Sequence, residues 1–432
     1  ALMRVLVIHL NFPGQFGHLV STWAKRPGWD VRALGRDTAP GLQRFEKLLR
    51  YAPARASRAN QHPYLRQMET ATLHGQATAR VMLRLRQTGF TPDVILAHPG
   101  WGETLYAKDV FPHARLVHFC EWYYSAEGAD LGFDPEFPVI FDVRARIRTW
   151  NALHTLNLTN CDAAVTPTHW QKSRHPSIFQ PKITVQHEGI ATHELGPDPK
   201  ASVTTPSGIV LRAGDADRPV ITYVARNLEP YRGFHIFMRA LERIQKIEPR
   251  CHAVIVGGDG VSYGQSPPRS AQGGSTAPRH WREHMLDEVK LDPARTHFLG
   301  YLPRQQYLRV LRLSDAHIYL TYPFVLSWSF LEAMACGAPI LASDTAPVQE
   351  VMRDGMNGRL VDFFDVNGIV DKTVMMLRGE NSNVALRMQG MADVQMYETR
   401  FGVEGYDKLL DLDKVPVSNI NNQADFLTVK ED

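Results

Sequence analysis

The feature that most limits what this chain can fold into is a rhythm. Short apolar runs recur along it, and each is followed by a stretch with helical patterning. The first half carries Arg4–Leu10, Asp93–Ala97, Leu116–Phe119, Asp162–Thr166 and Ile183–Gln186. The second carries Val220–Ala225, His252–Val256, His297–Leu299, Ala316–Leu320, Pro339–Ala342 and Arg359–Val361. Runs this short and this apolar read as strands buried on both faces, and the helical stretches between them imply parallel sheets covered by helices. The series restarts near Val220, after a stretch from His193 to Gly208 rich in Pro, Ser and Thr. With 432 residues, the chain also exceeds the roughly 250–300 at which one core stops growing. Two doubly wound, Rossmann-like α/β domains facing across a cleft are expected, at 3–190 and 209–395, with a linker at 191–208 between them. A helical segment at 396–412 and a polar, flexible tail at 413–432 complete the expected layout.

A hydrophobic fraction of 44% and a charged fraction of 22% fit a folded enzyme and exclude a disordered chain. The net charge of +3 is too small to imply a nucleic-acid partner. It is unevenly spread, however. Between Arg44 and Arg86 lie Arg44, Lys47, Arg50, Arg55, Arg58, Arg66, Arg80, Arg84 and Arg86 against Glu46 and Glu69. This stretch reads either as a face for phosphate groups or an anionic membrane, or as a solvated helical surface. The four cysteines, Cys120, Cys161, Cys251 and Cys336, have no metal-ligand spacing and read as buried free thiols. No apolar run approaches the ~18–20 residues that span a bilayer, and the chain opens directly into a strand. A cytoplasmic protein is expected, at most peripheral on the inner membrane face. The irregular segment from Gly264 to Arg279 follows a strand at the ligand-binding edge of the second sheet. It reads either as a gating loop or as an insertion without a role.

Three segments carry the chemistry. The first strand ends in NFPGQFGH, Asn11 to His18, where Gly14 and Gln15 at a strand-to-helix turn offer N–H groups to an anion. The spacing is not G-x-G-x-x-G, which argues against a dinucleotide oxidoreductase. The second segment is ITYVARNLEPYRGF. Its Arg226 and Arg232 stand at the carboxyl edge of the second sheet and can grip a diphosphate, each charged contact contributing ~1.5–3 kcal/mol. Because charge grows on a departing nucleotide diphosphate, such a grip also speeds transfer. The third is YPFVLSWSFLEAMACGAPILAS. A loop with free N–H groups at Val325, Leu326 and Ser327 precedes a helix from about Ser329 to Cys336, stopped by Gly337. Glu332, on its first turn, can accept hydrogen bonds from the two hydroxyls of a ribose.

LEAMACGAPILAS resembles the signature of glycosyltransferase family 4, the large retaining group with the GT-B fold. The likeness extends over most of the chain. ARNLEPYRG is similar to that family's Arg…Lys-Gly clamp, with Arg232 in place of the usual Lys, and HEGI (His187–Ile190) sits where the family has Asn-Gly-Ile-Asp. DGMNGRLVD (Asp354–Asp362) is similar to its late turn, and FPGQFGH to its glycine loop. The resemblance implies a nucleotide-sugar donor held by Gly14, Gln15, Arg226, Arg232, Gly258, Tyr301, Leu302, Val325, Leu326, Ser327, Trp328 and Glu332. It departs at one point. Eight residues before Glu332 the family has a Glu that orients the donor sugar, and this chain has Phe324.

In the first domain, HPGWGE and HFCEWYY each follow a strand and are expected at the cleft. Where the family places a sugar-contacting His, this chain has Glu121. It reads either as a carboxylate that stabilises an oxocarbenium-like transition state or takes the acceptor proton, or as a structural acid bonded to the glycine loop. Arg226, Arg232, Glu121 and His98 form the expected catalytic set. Phe16, Trp101, His118, Trp122 and Tyr123 are expected on the acceptor side, the aromatic ones either stacking on sugars or packing in a core. No resident cofactor and no metal are expected. The function implied is transfer of a hexose-type sugar, with retention, to a glycan or lipid-linked acceptor in polysaccharide or glycoconjugate synthesis. The alternative is a degenerate homologue that binds a nucleotide sugar without transferring it.

Overall fold

The computed structural model describes residues 2–268, 279–379 and 383–410. Most of the irregular loop after Gly264 and the tail from 413 lie outside the described residues.

The first sheet has seven strands: β1 (Met3–Ile8), β2 (Trp29–Arg36), β3 (Leu48–Tyr51), β4 (Val94–Ala97), β5 (Arg115–Phe119), β6 (Ala163–Thr166) and β7 (Ile183–Val185). They run parallel in the order β3-β2-β1-β4-β5-β6-β7. Successive side chains of a strand point to opposite faces, and both faces are used. Val5, Val7, Val94 and Leu96 meet Phe12, Leu19, Val20 and Trp23 on one side. Leu6, Ile8, Ile95 and Ala97 meet Met82, Leu85 and Phe111 on the other.

Strands β8 (Ser202–Thr204) and β9 (Val210–Arg212) form an antiparallel hairpin. The second sheet comprises β10 (Val220–Asn227), β11 (His252–Gly258), β12 (Thr296–Gly300), β13 (Ala316–Tyr319), β14 (Ile340–Ser343) and β15 (Arg359–Val361). All are parallel, in the order β12-β11-β10-β13-β14-β15. Ile221 and Tyr223 pack against Phe234, Phe237 and Leu241 on one face. Val220, Val224 and Val254 pack against Leu308, Leu311, Phe330 and Met334 on the other.

Three features go beyond the expected layout. Strands β2 and β3 had no counterpart in the sequence reading, and β3 falls inside the basic stretch. The expected linker at 191–208 is not loose: its hairpin buries Ala201 and Leu211 in the core of the second domain. The segment at 396–412 crosses back to the first domain. Its helix Thr399–Leu409 buries Tyr406 and Leu409 against Trp23 and Leu19. Asp407 accepts from Trp23 Nε1 at 2.9 Å and takes both terminal nitrogens of Arg26 at 2.9 and 2.7 Å. All four cysteines are free and buried.

The strand order sets where a ligand goes. In the first sheet it reverses between β1 and β4, in the second between β10 and β13. A crevice opens at such a reversal, outside the carboxyl ends of the strands. The loops after β1, β4 and β5 therefore meet those after β10 and β13 across one cleft.

Candidate active site

The cleft has a volume of about 1350 Å³ and is walled by both domains. Its first-domain wall begins at the end of β1. His9 is buried there and lies under the glycine turn: a Cβ on Gly14, whose φ is +49°, would sit 2.2 Å from His9 Nε2. Only glycine lets the backbone approach this ring so closely. Gly14 and Gln15 both face the cleft. Phe16 does not. It is fully buried, with its ring edge-on to His9 and Phe119, and it supports the turn from below.

His98 and Glu121 stand at the ends of β4 and β5. Gly100 donates its N–H to His98 Nδ1 at 3.2 Å, so the ring proton belongs on Nε2, which lies 3.2 Å from Glu121 Oε2. Burial pushes the Glu121 carboxyl up, but the hydrogen bond from His98, with the positive charge of Arg232, outweighs it and holds the group below its ordinary range. Its side chain is 38% exposed to the cleft. Its carboxylate bonds His98 and not the glycine loop. Trp101 stacks on His98 at 4.4 Å and lines the cleft.

Like Phe16, two further expected acceptor residues lie elsewhere. His118 is fully buried inside β5, with Nδ1 3.2 Å from the Asn157 carbonyl, because the pleat turns it away from the cleft. Tyr123 packs with the first-domain core and bonds Thr155 Oγ1 at 3.0 Å. Trp122 touches the cleft but mainly packs edge-on against Phe324 of the second domain at 4.8 Å.

On the second-domain wall Arg226 is exposed and makes no hydrogen bond or ion pair with a described residue. Arg232 is 7% exposed. Its Nη1 donates to Thr321 Oγ1 at 2.7 Å, the Val325 carbonyl at 2.8 Å and the Tyr319 hydroxyl at 3.2 Å. One arginine is thus free and the other fixed against the loop it faces. Glu229, buried between them in sequence, pairs with neither. It accepts the N–H groups of Ser262 and Tyr263 at 2.9 and 3.4 Å and so shapes the cleft edge. Tyr301 and Leu302 line the cleft. Gly258 does not: a Cβ there would meet the Tyr301 ring at 2.3 Å, so its role is to admit that ring.

The loop Val325–Ser327 faces the cleft as expected. No described residue accepts the N–H of Val325 or Leu326. The N–H of Ser327 is spent on the Tyr319 hydroxyl at 2.9 Å. Trp328 opens the helix Trp328–Ala335 and donates Nε1 to Glu188 Oε1 at 2.6 Å, tying the loop to the first domain. Gly337 follows the helix with φ +74°, the expected cap geometry. Glu332 sits on the second turn of that helix, beside the cleft-lining residues Leu331 and Tyr307. Its carboxylate takes Arg304 Nη1 at 2.9 Å and the Tyr307 hydroxyl at 3.2 Å.

Phe324 joins an aromatic seam of Trp122, Tyr231 and Tyr263 between the domains. Beyond the seam, Tyr231 bonds Asp130, Tyr322 bonds Asp134 at 2.9 Å, and His235 Nε2 lies 2.7 Å from the same Asp134 oxygen. Among the described residues, Asp134, Glu136 and His235 form the one group close enough to share a cation. It lies outside the cleft, and Arg239 already takes both Glu136 oxygens at 2.9 and 2.8 Å.

Of the basic stretch, Arg66 reaches the cleft. Arg50 is turned onto the carbonyls of Arg36, Asp37 and Ala39, and Arg55 pairs with Glu69 at 2.8 Å. No described helix is long and apolar enough to cross a membrane. The sequence reading missed His9, Glu188 and Glu229. His9 alone had a visible signal, a polar residue closing an apolar strand just before the glycine turn.

Comparison with known proteins bears on the family and the fold. Residues 27–195 match the glycosyl transferase family 4 group and residues 213–391 match glycosyl transferases group 1. The chain is 26% identical over 244 residues to a GDP-mannose-dependent alpha-(1-6)-phosphatidylinositol monomannoside mannosyltransferase of Mycolicibacterium smegmatis, covering 54% of this chain and 57% of that one. It is 26% identical over 185 residues to a D-inositol 3-phosphate glycosyltransferase of a Mycobacterium species, covering 43% of this chain and 37% of that one. The matches thus span little more than half of these relatives' length, or less. Among solved structures, sucrose-phosphate synthase from Thermosynechococcus elongatus superposes with a TM-score of 0.68 at 16% identity, over 94% of this chain and 98% of that one. HepE from Anabaena, in complex with UDP and glucose, gives 0.61 at 15% identity, over 94% and 99%. These likenesses show the fold, GT-B, with two Rossmann-like domains. With both domains matched in turn by its models, the chain belongs to glycosyltransferase family 4.

Proposed function

We propose that this protein transfers a hexose-type sugar from a nucleoside diphosphate donor to a glycan or glycolipid acceptor, with retention of configuration. The observation that carries the reading is the meeting of opposite chemistries in one cleft: Arg226 and Arg232 on one wall, Glu121 held by His98 on the other. The two guanidinium groups, with the N–H groups of Val325 and Leu326, receive the diphosphate and the charge that grows on it as the sugar departs. Glu121 stays ionised beside the anomeric carbon and stabilises positive charge there. The acceptor attacks from the face the diphosphate leaves, and a phosphate oxygen takes its proton. The arginines match the leaving-group charge, so this scheme needs no divalent ion. Glu332 holds the ribose once Arg304 yields its place.

The acceptor side supports a lipid-linked substrate. Arg66 and Trp150 line the cleft mouth. Nearby, Ile140 and Phe141 are 61% and 78% exposed, and Arg144, Arg146 and Arg148 follow on the same helix, Phe141–Asn160. That combination suits peripheral contact with an anionic membrane from the cytoplasmic side. The named relative that uses GDP-mannose acts on a phosphatidylinositol mannoside, a substrate pair of the same class. A role in polysaccharide or glycoconjugate synthesis follows.

The degenerate-homologue reading keeps one supporting observation, Phe324 in the seam where the family's sugar-orienting acid would stand. Turnover separates the two. Incubation with UDP-, GDP- and ADP-hexoses, membrane lipid extract and a chelator is expected to yield an α-linked product from an α-linked donor. Binding of a donor without any transfer to lipid, glycan or water would select the degenerate reading.

A further inference from the structure

His9 closes β1 and is absent from the reaction scheme above, yet its hydrogen bonds run in one direction. The N–H of Asn11 donates to His9 Nδ1 at 3.0 Å. A backbone N–H can only donate, so Nδ1 is the acceptor and the ring proton sits on Nε2. Nε2 lies 2.8 Å from Gln15 Oε1, to which it donates. A carboxamide that turns its oxygen inward turns its NH2 group outward. Gln15 lines the cleft, and no described residue accepts from its Nε2. The ring is held in this orientation. It is 4% exposed, edge-on to Phe16 and His98 at 5.8 and 5.3 Å, and covered by Gly14. Burial, then the neighbouring His98, pushes its pKa down to about 3, so it stays neutral and keeps one donor and one acceptor.

We infer that His9 is a positioning residue that fixes the Gln15 amide with its NH2 group toward the cleft, where it donates to the diphosphate of the sugar donor. The inference rests on the nucleoside diphosphate reading above and goes beyond it. A free glutamine at this turn presents its oxygen to the anion as readily as its NH2, and an oxygen there repels phosphate. His9 removes that choice before the ligand arrives, so the ordering cost is already met in the free protein.

Two substitutions separate this role from simple packing. In His9→Gln the side-chain Nε2 stands near the place of the ring Nε2 and still donates to Gln15. In His9→Asn the side chain still accepts from Asn11 but ends short of Gln15. Gln15→Met keeps the shape and loses the donor. Affinities of the full chain for UDP, GDP, UMP and GMP are measured by calorimetry, with a thermal midpoint for each variant.

For whichever diphosphate the wild type binds, His9→Gln is expected near wild type. His9→Asn and Gln15→Met are each expected to weaken it about tenfold, one hydrogen bond to a charged group. The double variant is expected to lose no more than either single one, since both remove the same contact. The matching monophosphate is expected to be little affected. Equal affinities for His9→Asn and His9→Gln, or additive losses with Gln15→Met, would overturn the positioning role while leaving the donor reading intact. Wild-type protein that binds neither diphosphate would overturn both.

Discussion

His98 Nε2 stands 3.2 Å from Glu121 Oε2, and the N–H of Gly100 on the other ring nitrogen dictates that His98 is the donor of that bond. The carboxylate at the first-domain wall is thereby kept ionised and aimed. Glu121→Gln is expected to lower kcat about a hundredfold or more, the usual range for a group that stabilises charge developing in the transition state, with little change in donor KM. Steady-state kinetics with saturating acceptor checks it.

The same bond makes a pH prediction. Burial raises the Glu121 carboxyl, and the His98 bond with the surrounding positive charge more than reverses this. A depressed folded pKa adds stability above the unfolded value and loses it as pH falls through the folded value. The acid limb of kcat should therefore lie below the ordinary carboxylate range in the wild type. In His98→Ala, burial is left less opposed and the limb should move to higher pH. A pH–rate profile of both proteins tests the shift, and unchanged limbs would remove His98 from this role.

Glu332, a family-motif residue, is already paired with Arg304 at 2.9 Å. If the ribose displaces Arg304, then Arg304→Ala should leave donor affinity unchanged or raise it. Glu332→Ala should lower it about tenfold, as expected for one charge-assisted contact. Calorimetric titration of both variants distinguishes this from a purely structural ion pair, in which both substitutions act mainly on the thermal midpoint.

Asp134 joins the domains. It is 3% exposed and shares one oxygen with His235 and Tyr322, while Glu136 two residues on is held by Arg239. Asp134→Ala strands His235 and Tyr322 at a buried seam. A loss of about 3–5 kcal/mol is expected in urea unfolding, as for other broken buried pairs. Arg55→Ala, at a surface pair with Glu69, should change the unfolding midpoint little and serves as the control.

Much of this was legible in the residues. The central strands β1, β4, β10 and β11 are apolar on both faces, and a run such as MRVLVI admits few other placements. The turn at Gly14, the free Arg226 and the cap at Gly337 follow from local chemistry alone. The edge strands were not legible. β2 carries Asp30, Arg32 and Arg36, and β3 is four residues with Arg50 in it, so both resemble solvated chain until they pair with β1. Side-chain direction was lost in the same way: His118 and Tyr123 flank Glu121 in sequence, but His118 falls on the buried side of the pleat and Tyr123 packs into the first-domain core. The pairing of Glu332 was not legible either, because its partners, Arg304 and Tyr307, come from a different helix, Arg304–Arg312, and nothing in the signature itself announces them.

The central claim is that Arg226 and its neighbours receive a nucleoside diphosphate. Arg226 has no partner among the described residues, so Arg226→Ala removes a ligand contact and almost nothing else, whereas Arg232→Ala also breaks bonds to Thr321, Val325 and Tyr319 and should lower the thermal midpoint. The most direct measurement is calorimetric titration of wild type and Arg226→Ala with UDP, GDP and ADP in the presence of a chelator. One nucleotide is expected to bind the wild type, with affinity at least about tenfold weaker in Arg226→Ala and an unchanged thermal midpoint. Equal affinities in the two proteins, or no binding of any of the three, would contradict the claim.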